Sequence, residues 1–98
     1  MKNEELTWLI QWYYKQCDGD WEHCYSIKLE TIDNPGWSLK IPILETTLAE
    51  KSFQKISIDR TEHDWLRCFI ENGYFQAAGG PFNLSEILGV FKNWAESD

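Results

Sequence analysis

The sequence predicts an α+β fold: an antiparallel meander sheet of about five strands with an N-terminal and a C-terminal helix, in the order α-β-β-β-β-β-α. Three observations predict it. Apolar residues recur at helical spacing near both ends and alternate with polar ones in between. The alternating runs are separated by turn-forming "DNPG" and "ENG". Strands grouped between helices, with short connections, point to antiparallel pairing. At 98 residues the chain has the size of one domain, residues 1–98.

The first helix is predicted from residue 4 to about 17. Leu6, Leu9, Ile10 and Tyr13 fall on one face, and Trp8 and Trp12 form a second apolar row. The arc is wider than one contact requires, so this helix is expected to pack on two neighbours. Glu4 and Glu5 in its first turn and Lys15 in its last suit the helix dipole. Gly19 is expected to end it in a left-handed conformation.

Two strands follow, "YSIKLET" at 25–31 and "WSLKIPI" at 37–43. Each has one apolar face: Tyr25, Ile27 and Leu29 in the first, Trp37, Leu39, Ile41 and Ile43 in the second. Pro35 and Gly36 fit a type II turn over 34–37. Side-chain parity favours a three-residue connection with Asp33 opposite Trp37. Pro42 suggests an edge or a bulge.

"FQKISIDR" at 53–60 predicts a third strand with Ile56 and Ile58 inward. "WLRCFIE" at 65–71 and "YFQAA" at 74–78 flank Asn72-Gly73, which predicts a type I′ hairpin pairing Glu71 with Tyr74, Phe69 with Gln76 and Arg67 with Ala78. Leu66, Cys68, Ile70, Phe75 and Ala77 then face the core. Trp65, Arg67, Phe69, Glu71 and Tyr74 form a mixed opposite face, covered by a helix or open to a partner. After "GGP", the segment 82–97 predicts the closing helix, with Asn83 as N-cap, Glu86 completing a capping box, and Leu84, Ile87, Leu88, Phe91 and Trp94 as its buried stripe.

Sixteen Asp and Glu against nine Lys and Arg give a net charge of −7. A nucleic-acid partner would need a basic footprint, and anionic lipid would repel such a chain. A basic protein partner is expected instead. No run reaches the roughly 18 apolar residues that span a bilayer. "MKNEELTWLIQWYY" lacks the apolar core of a signal peptide. Three cysteines, an odd number, then read as reduced thiols in a cytoplasm.

The densest chemistry lies in "CDGDWEHC", residues 17–24. Cys17, His23 and Cys24, with Cys68 or His63, supply zinc-ligand types, but zinc sites usually pair cysteines two to four residues apart. Asp18, Asp20 and Glu22 alternate like the start of a calcium loop, without the later Gly and Glu that complete one. A thiolate at Cys17 would be opposed by a helix C-terminus and by neighbouring carboxylates. The segment is therefore expected to hold neither metal nor cofactor and to carry no catalysis. The alternative is a small thiol- or metal-dependent protein, sulfurtransferase-like, using Cys17, His23 and Cys24. As a binding surface, Asp18, Asp20, Glu22, Glu30 and Asp33 form a negative patch opposed by Lys28 alone. Trp21 is either its aromatic anchor or buried under the helix end.

"WYYKQCDGDWEH", "IDNPGWSLKI", "DWLRC" and "GGPFNLSEILGVFKNW", in this order and spacing over nearly the whole chain, resemble the immunity protein 53 family. These are small bacterial proteins predicted to neutralise a cognate toxin of a polymorphic or contact-dependent toxin system. The resemblance implies an α+β fold, a cytoplasmic location, a toxin partner and no catalytic activity. Its motif positions here are Trp12, Tyr13, Asp18, Gly19, Asp20, Trp21, Glu22, His23, Asp33, Asn34, Pro35, Gly36, Trp37, Trp65, Gly79, Gly80 and Pro81. Of these, Gly19, Asn34, Pro35, Gly36, Trp37, Trp65, Gly79, Gly80 and Pro81 are expected to be structural. A sulfurtransferase label carried by some members of such families finds no cation beside Cys17, which is followed by Asp, Gly, Asp, Trp and Glu.

Overall fold

A computed structural model describes residues 4–97. Helix α1 spans Glu4–Gln16, and a single helical turn, α2, spans Trp21–Cys24. Strands β1 (Lys28–Ile32), β2 (Gly36–Pro42), β3 (Ile56–Thr61), β4 (Asp64–Glu71) and β5 (Tyr74–Gly79) precede helix α3 (Leu84–Glu96). The α+β class and the five antiparallel strands between two long helices are as the sequence predicts. The short α2 is an addition. The strand order, β1-β2-β5-β4-β3, is not that of a sequential meander. The chain leaves β2, passes across the sheet through residues 43–55, and returns by β3, β4 and β5 to lie beside β2.

The crossing needs anchors, and tryptophan supplies two. The Trp21 indole N–H donates to the Leu44 carbonyl at 2.9 Å, and the Trp94 indole to the Ser52 carbonyl at 2.7 Å. Leu48, midway, is buried. The order also follows burial. β2 and β5 carry the small and apolar residues that tolerate two neighbours. β1 and β3 carry charge and lie at the edges.

Both long helices cover one sheet face. Phe91 of α3 sits 5.0 Å from Phe75 of β5 and 5.1 Å from Trp12 of α1, ring centre to ring centre. Leu39, Ile41, Leu66, Cys68, Phe75, Ile87 and Phe91 are fully buried between the layers. The β4–β5 hairpin has the predicted register, and Asn72 and Gly73 adopt φ of 55° and 79°. Phe69, Trp65 and Tyr74 on its opposite face are half-buried, and among the described residues the long helices pack on the other face, against Phe75.

Several local expectations are corrected. Ile32 pairs with Gly36, so the three-residue loop is 33–35 and Asp33 lies in it rather than opposite Trp37. The Asn34–Pro35 bond is cis, and Gly36 begins β2 without a positive φ, so no type II turn forms over 34–37. Gly36 is required for another reason: a Cβ there would strike the Gly79 carbonyl oxygen. Pro42 is the last residue of an inner strand, beyond the point where β1 pairing stops at Lys40. Asn83 precedes α3 as expected, but its side chain does not cap the helix. The Asn83 Oδ1 accepts the Trp65 backbone N–H, and its Nδ2 donates to Asp64 and Glu86. The largest change is in α1. Leu9 and Trp12 are buried, whereas Leu6, Ile10 and Tyr13 of the predicted core stripe are 44%, 58% and 37% exposed.

Candidate interaction face

The "CDGDWEHC" segment folds by satisfying its own backbone. After α1 ends at Gln16, the Asp18 carboxylate accepts the N–H groups of Asp20 and Trp21 at 3.0 and 2.9 Å. In return the Glu22 carboxylate accepts the N–H groups of Asp18 and Gly19 at 3.0 and 2.9 Å. This reciprocal capping starts α2. Gly19 takes a φ of +91°, within the turn into α2 rather than directly after the last helical residue. Hydrogen bonds from the Trp21 and Asp20 N–H groups hold the Asp18 carboxyl below the usual range. Backbone N–H groups at Glu22 itself, Asp18 and Gly19 do the same for Glu22. Both groups keep their negative charge at neutral pH while accepting these N–H bonds.

Trp21 does not stand at the surface as an anchor. It is 4% exposed, packed edge-on against Trp12 and Tyr13 and tilted against Tyr25. Asp20, Glu30 and Asp33 are exposed, and no side-chain hydrogen bond or ion pair engages them among the described residues. Glu30 lies on β1 and Asp33 in the turn that follows, so the expected patch is divided between α2 and the β1 strand.

The sulfur and imidazole groups do not assemble. The Cys17 thiol donates to the Tyr13 carbonyl at 3.4 Å, Cys24 is exposed on α2, and Cys68 lies in the core. Burial pushes the Cys68 thiol up to about 12, far from a thiolate at neutral pH. Among the described residues no three His, Cys, Asp or Glu side chains are placed to hold a metal ion. The thiol- or metal-dependent alternative gains no support.

Between the two acidic stretches lies a feature the sequence reading missed. A groove of about 360 Å³ runs between α1 and β1, walled by Leu6, Ile10 and Tyr13 on one side and by Ile27 and Leu29 on the other, with Glu22 at its rim. It continues into a deeper cleft of about 250 Å³ that reaches Leu39 and Leu88 and is flanked by Glu5. Leu29, expected inward, is 46% exposed on this edge. The signal was present in the sequence: α1 has two apolar rows, and one neighbour, α3, can bury only one of them.

The family model for immunity protein 53 matches residues 6–96, nearly the entire chain. The chain belongs to the immunity protein 53 family. No curated protein matches it significantly. No solved structure does either. Several of the motif positions quoted above lie at packing contacts of the fold. Trp12 and Trp21 are core residues, and the Trp37 indole N–H donates to the Pro81 carbonyl at 3.1 Å. Gly36 lets β2 approach the Gly79 carbonyl of β5, and Gly79 leaves room for Ile87 of α3 and the Trp65 carbonyl of β4. Among the described residues no helix is long and apolar enough to cross a membrane.

Proposed function

We propose that this chain is a stoichiometric inhibitor that acts in the cytoplasm by binding a cognate toxin domain, without turnover and without a cofactor. The family match over residues 6–96 carries the reading. The dispersed thiols and the absence of a metal-ligating cluster among the described residues are consistent with a binder. The charge of −7 favours a basic partner, and a nuclease toxin fits because its active site must hold phosphates.

Co-expression with the toxin encoded in the adjacent reading frame tests the proposal. The expected outcome is rescued growth and a 1:1 complex that survives purification. Full toxicity with no complex overturns it. The electrostatic part has its own measurement. Association is expected to slow as salt rises through the physiological range. Reversing Asp18 and Glu22 would dismantle the turn they cap, so the clean charge reversal is Asp20, Glu30 and Asp33 together. That variant is expected to associate about tenfold more slowly at low salt, within the range steering supplies. An unchanged on-rate removes these three carboxylates from the contact.

A further inference from the structure

We propose that an extended segment of the toxin, apolar on one face and basic on the other, adds to the free edge of β1 beneath Leu6, Ile10 and Tyr13 of α1 and so completes the sheet. The inference rests on the immunity reading and names the surface and the mode of contact.

The fold leaves a place for such a strand. β1 pairs with β2 on one side and ends the sheet on the other. Helix α1 packs on α3 through Trp8 and Trp12, which lie 5.8 and 5.1 Å from Phe91. Its second apolar row therefore lines one wall of the groove, with Ile27 and Leu29 on the β1 side. The opposite edge is different. On β3, Asp59 pairs with Arg67, and Arg60 with Asp64 and Glu86. Lys28 and Glu30 of β1 make no ion pair among the described residues. An apolar groove beside a strand edge that no other strand of the sheet pairs is a binding feature rather than a tolerated exposure.

The groove has a helix for one wall and a strand's open backbone for the other. Only an extended chain satisfies the outward N–H and C=O groups of β1, and its alternate side chains would then enter the groove. The five residues of β1 match a segment of about 17 Å. Charge selects the occupant. Glu22 stands at one end of the groove and Glu5 beside its continuation, so Lys or Arg flanking the apolar positions finds partners at both ends. A second copy is disfavoured by the same charge. Pairing two β1 edges would join two chains of −7 and set these carboxylates near their own images.

The test uses the full chain and the toxin domain from the adjacent reading frame. Ile10→Asp with Leu29→Asp, both at exposed positions, is expected to weaken binding at least 100-fold while leaving the circular dichroism spectrum unchanged. Phe69→Ser, on the opposite sheet face, is expected to stay within threefold of the parent. Hydrogen exchange on the unmodified proteins is independent of whether variants fold. Amides of residues 28–32 that point away from β2 should become protected in the complex. Undiminished binding by the double variant, loss on Phe69→Ser alone, or no new protection in 28–32 each overturns the inference while leaving a toxin binder in place. A dimer by light scattering that Ile10→Asp dissociates assigns the groove to a second copy and overturns it too. Failure of the parent chain to bind or neutralise the toxin defeats the immunity reading first, and this inference with it.

Discussion

Single residues in this chain act mostly through what they do not contain or through one polar atom on a large ring. Gly80 shows the first kind. A Cβ there would lie 2.5 Å from the His63 carbonyl oxygen and 2.8 Å from the Asn83 Oδ1. Neither atom is a free side-chain tip. His63 O is backbone, and Asn83 is buried and bonded to Trp65, Asp64 and Glu86. Gly80→Ala is therefore expected to destabilise by about 1–3 kcal/mol, the usual cost of overpacking. Gly19 is the contrast, since nothing lies within 4 Å of its would-be Cβ and only its positive φ is strained. Denaturant titrations of the two alanine variants should rank Gly80 as the costlier site, and the reverse order would displace this account of "GGP". The tryptophans show the second kind. Trp21, Trp37 and Trp94 each donate one indole N–H to a loop carbonyl, which fixes a connection, and the rings of Trp21 and Trp94 also pack in or against the core.

At the scale of elements, the turn into α2 couples folding to protonation. The Asp18 and Glu22 carboxyls are held below their ordinary values by backbone N–H groups, and Asp64 and Glu86 by Asn83 and Arg60. A folded-state value below the unfolded one means that the native state binds fewer protons. The stabilisation is then complete above the usual carboxylate range, near pH 4, and is lost as pH falls through the lowered folded values. Asp18→Ala is expected to lower the melting temperature at pH 7, and the gap to the parent should close toward pH 3. Melting curves at the two pH values measure it; a gap that widens on acidification contradicts the capping role. The elements best legible in the sequence are those set by neighbours along the chain. Asn72-Gly73 made the turn type and the full β4–β5 register legible, because a type I′ turn requires positive φ at both positions and Asn and Gly accept it at low cost. The β1–β2 parity was legible from alternation, but the register depends on Gly36 meeting Gly79 on a distant strand. The buried side of α1 was illegible for a similar reason. Two apolar rows were present, and only the position of α3 decides that Trp12 enters the core while Ile10 does not.

For the whole molecule, strand order was the part least open to sequence reasoning, since the crossing by residues 43–55 is a nonlocal choice. One clue was available: the two strands poorest in charge, β2 and β5, belong inside. That order places Cys68 on an inner strand, β4 between β3 and β5, with its side chain in the core and no exposed surface. Its side chain is sealed in the main core cluster, 0% exposed, so its thiol is expected to become available only when the fold opens globally. Cys24, exposed on α2, needs no opening. A thiol reagent is therefore expected to label Cys24 rapidly and Cys68 at a rate set by the unfolded population. Binding to the native state lowers that population by a factor of one plus the ratio of free toxin to Kd, about 100-fold when free toxin stands at 100 times Kd. Mass spectrometry of each cysteine with time should show Cys68 slowing by that factor in the complex. Labelling of Cys68 as fast as Cys24 in the free chain contradicts the sheet order and the core built on it. Toxin that leaves the Cys68 rate unchanged at saturating concentration contradicts binding to the folded chain, so one measurement addresses both the architecture and the role proposed for it.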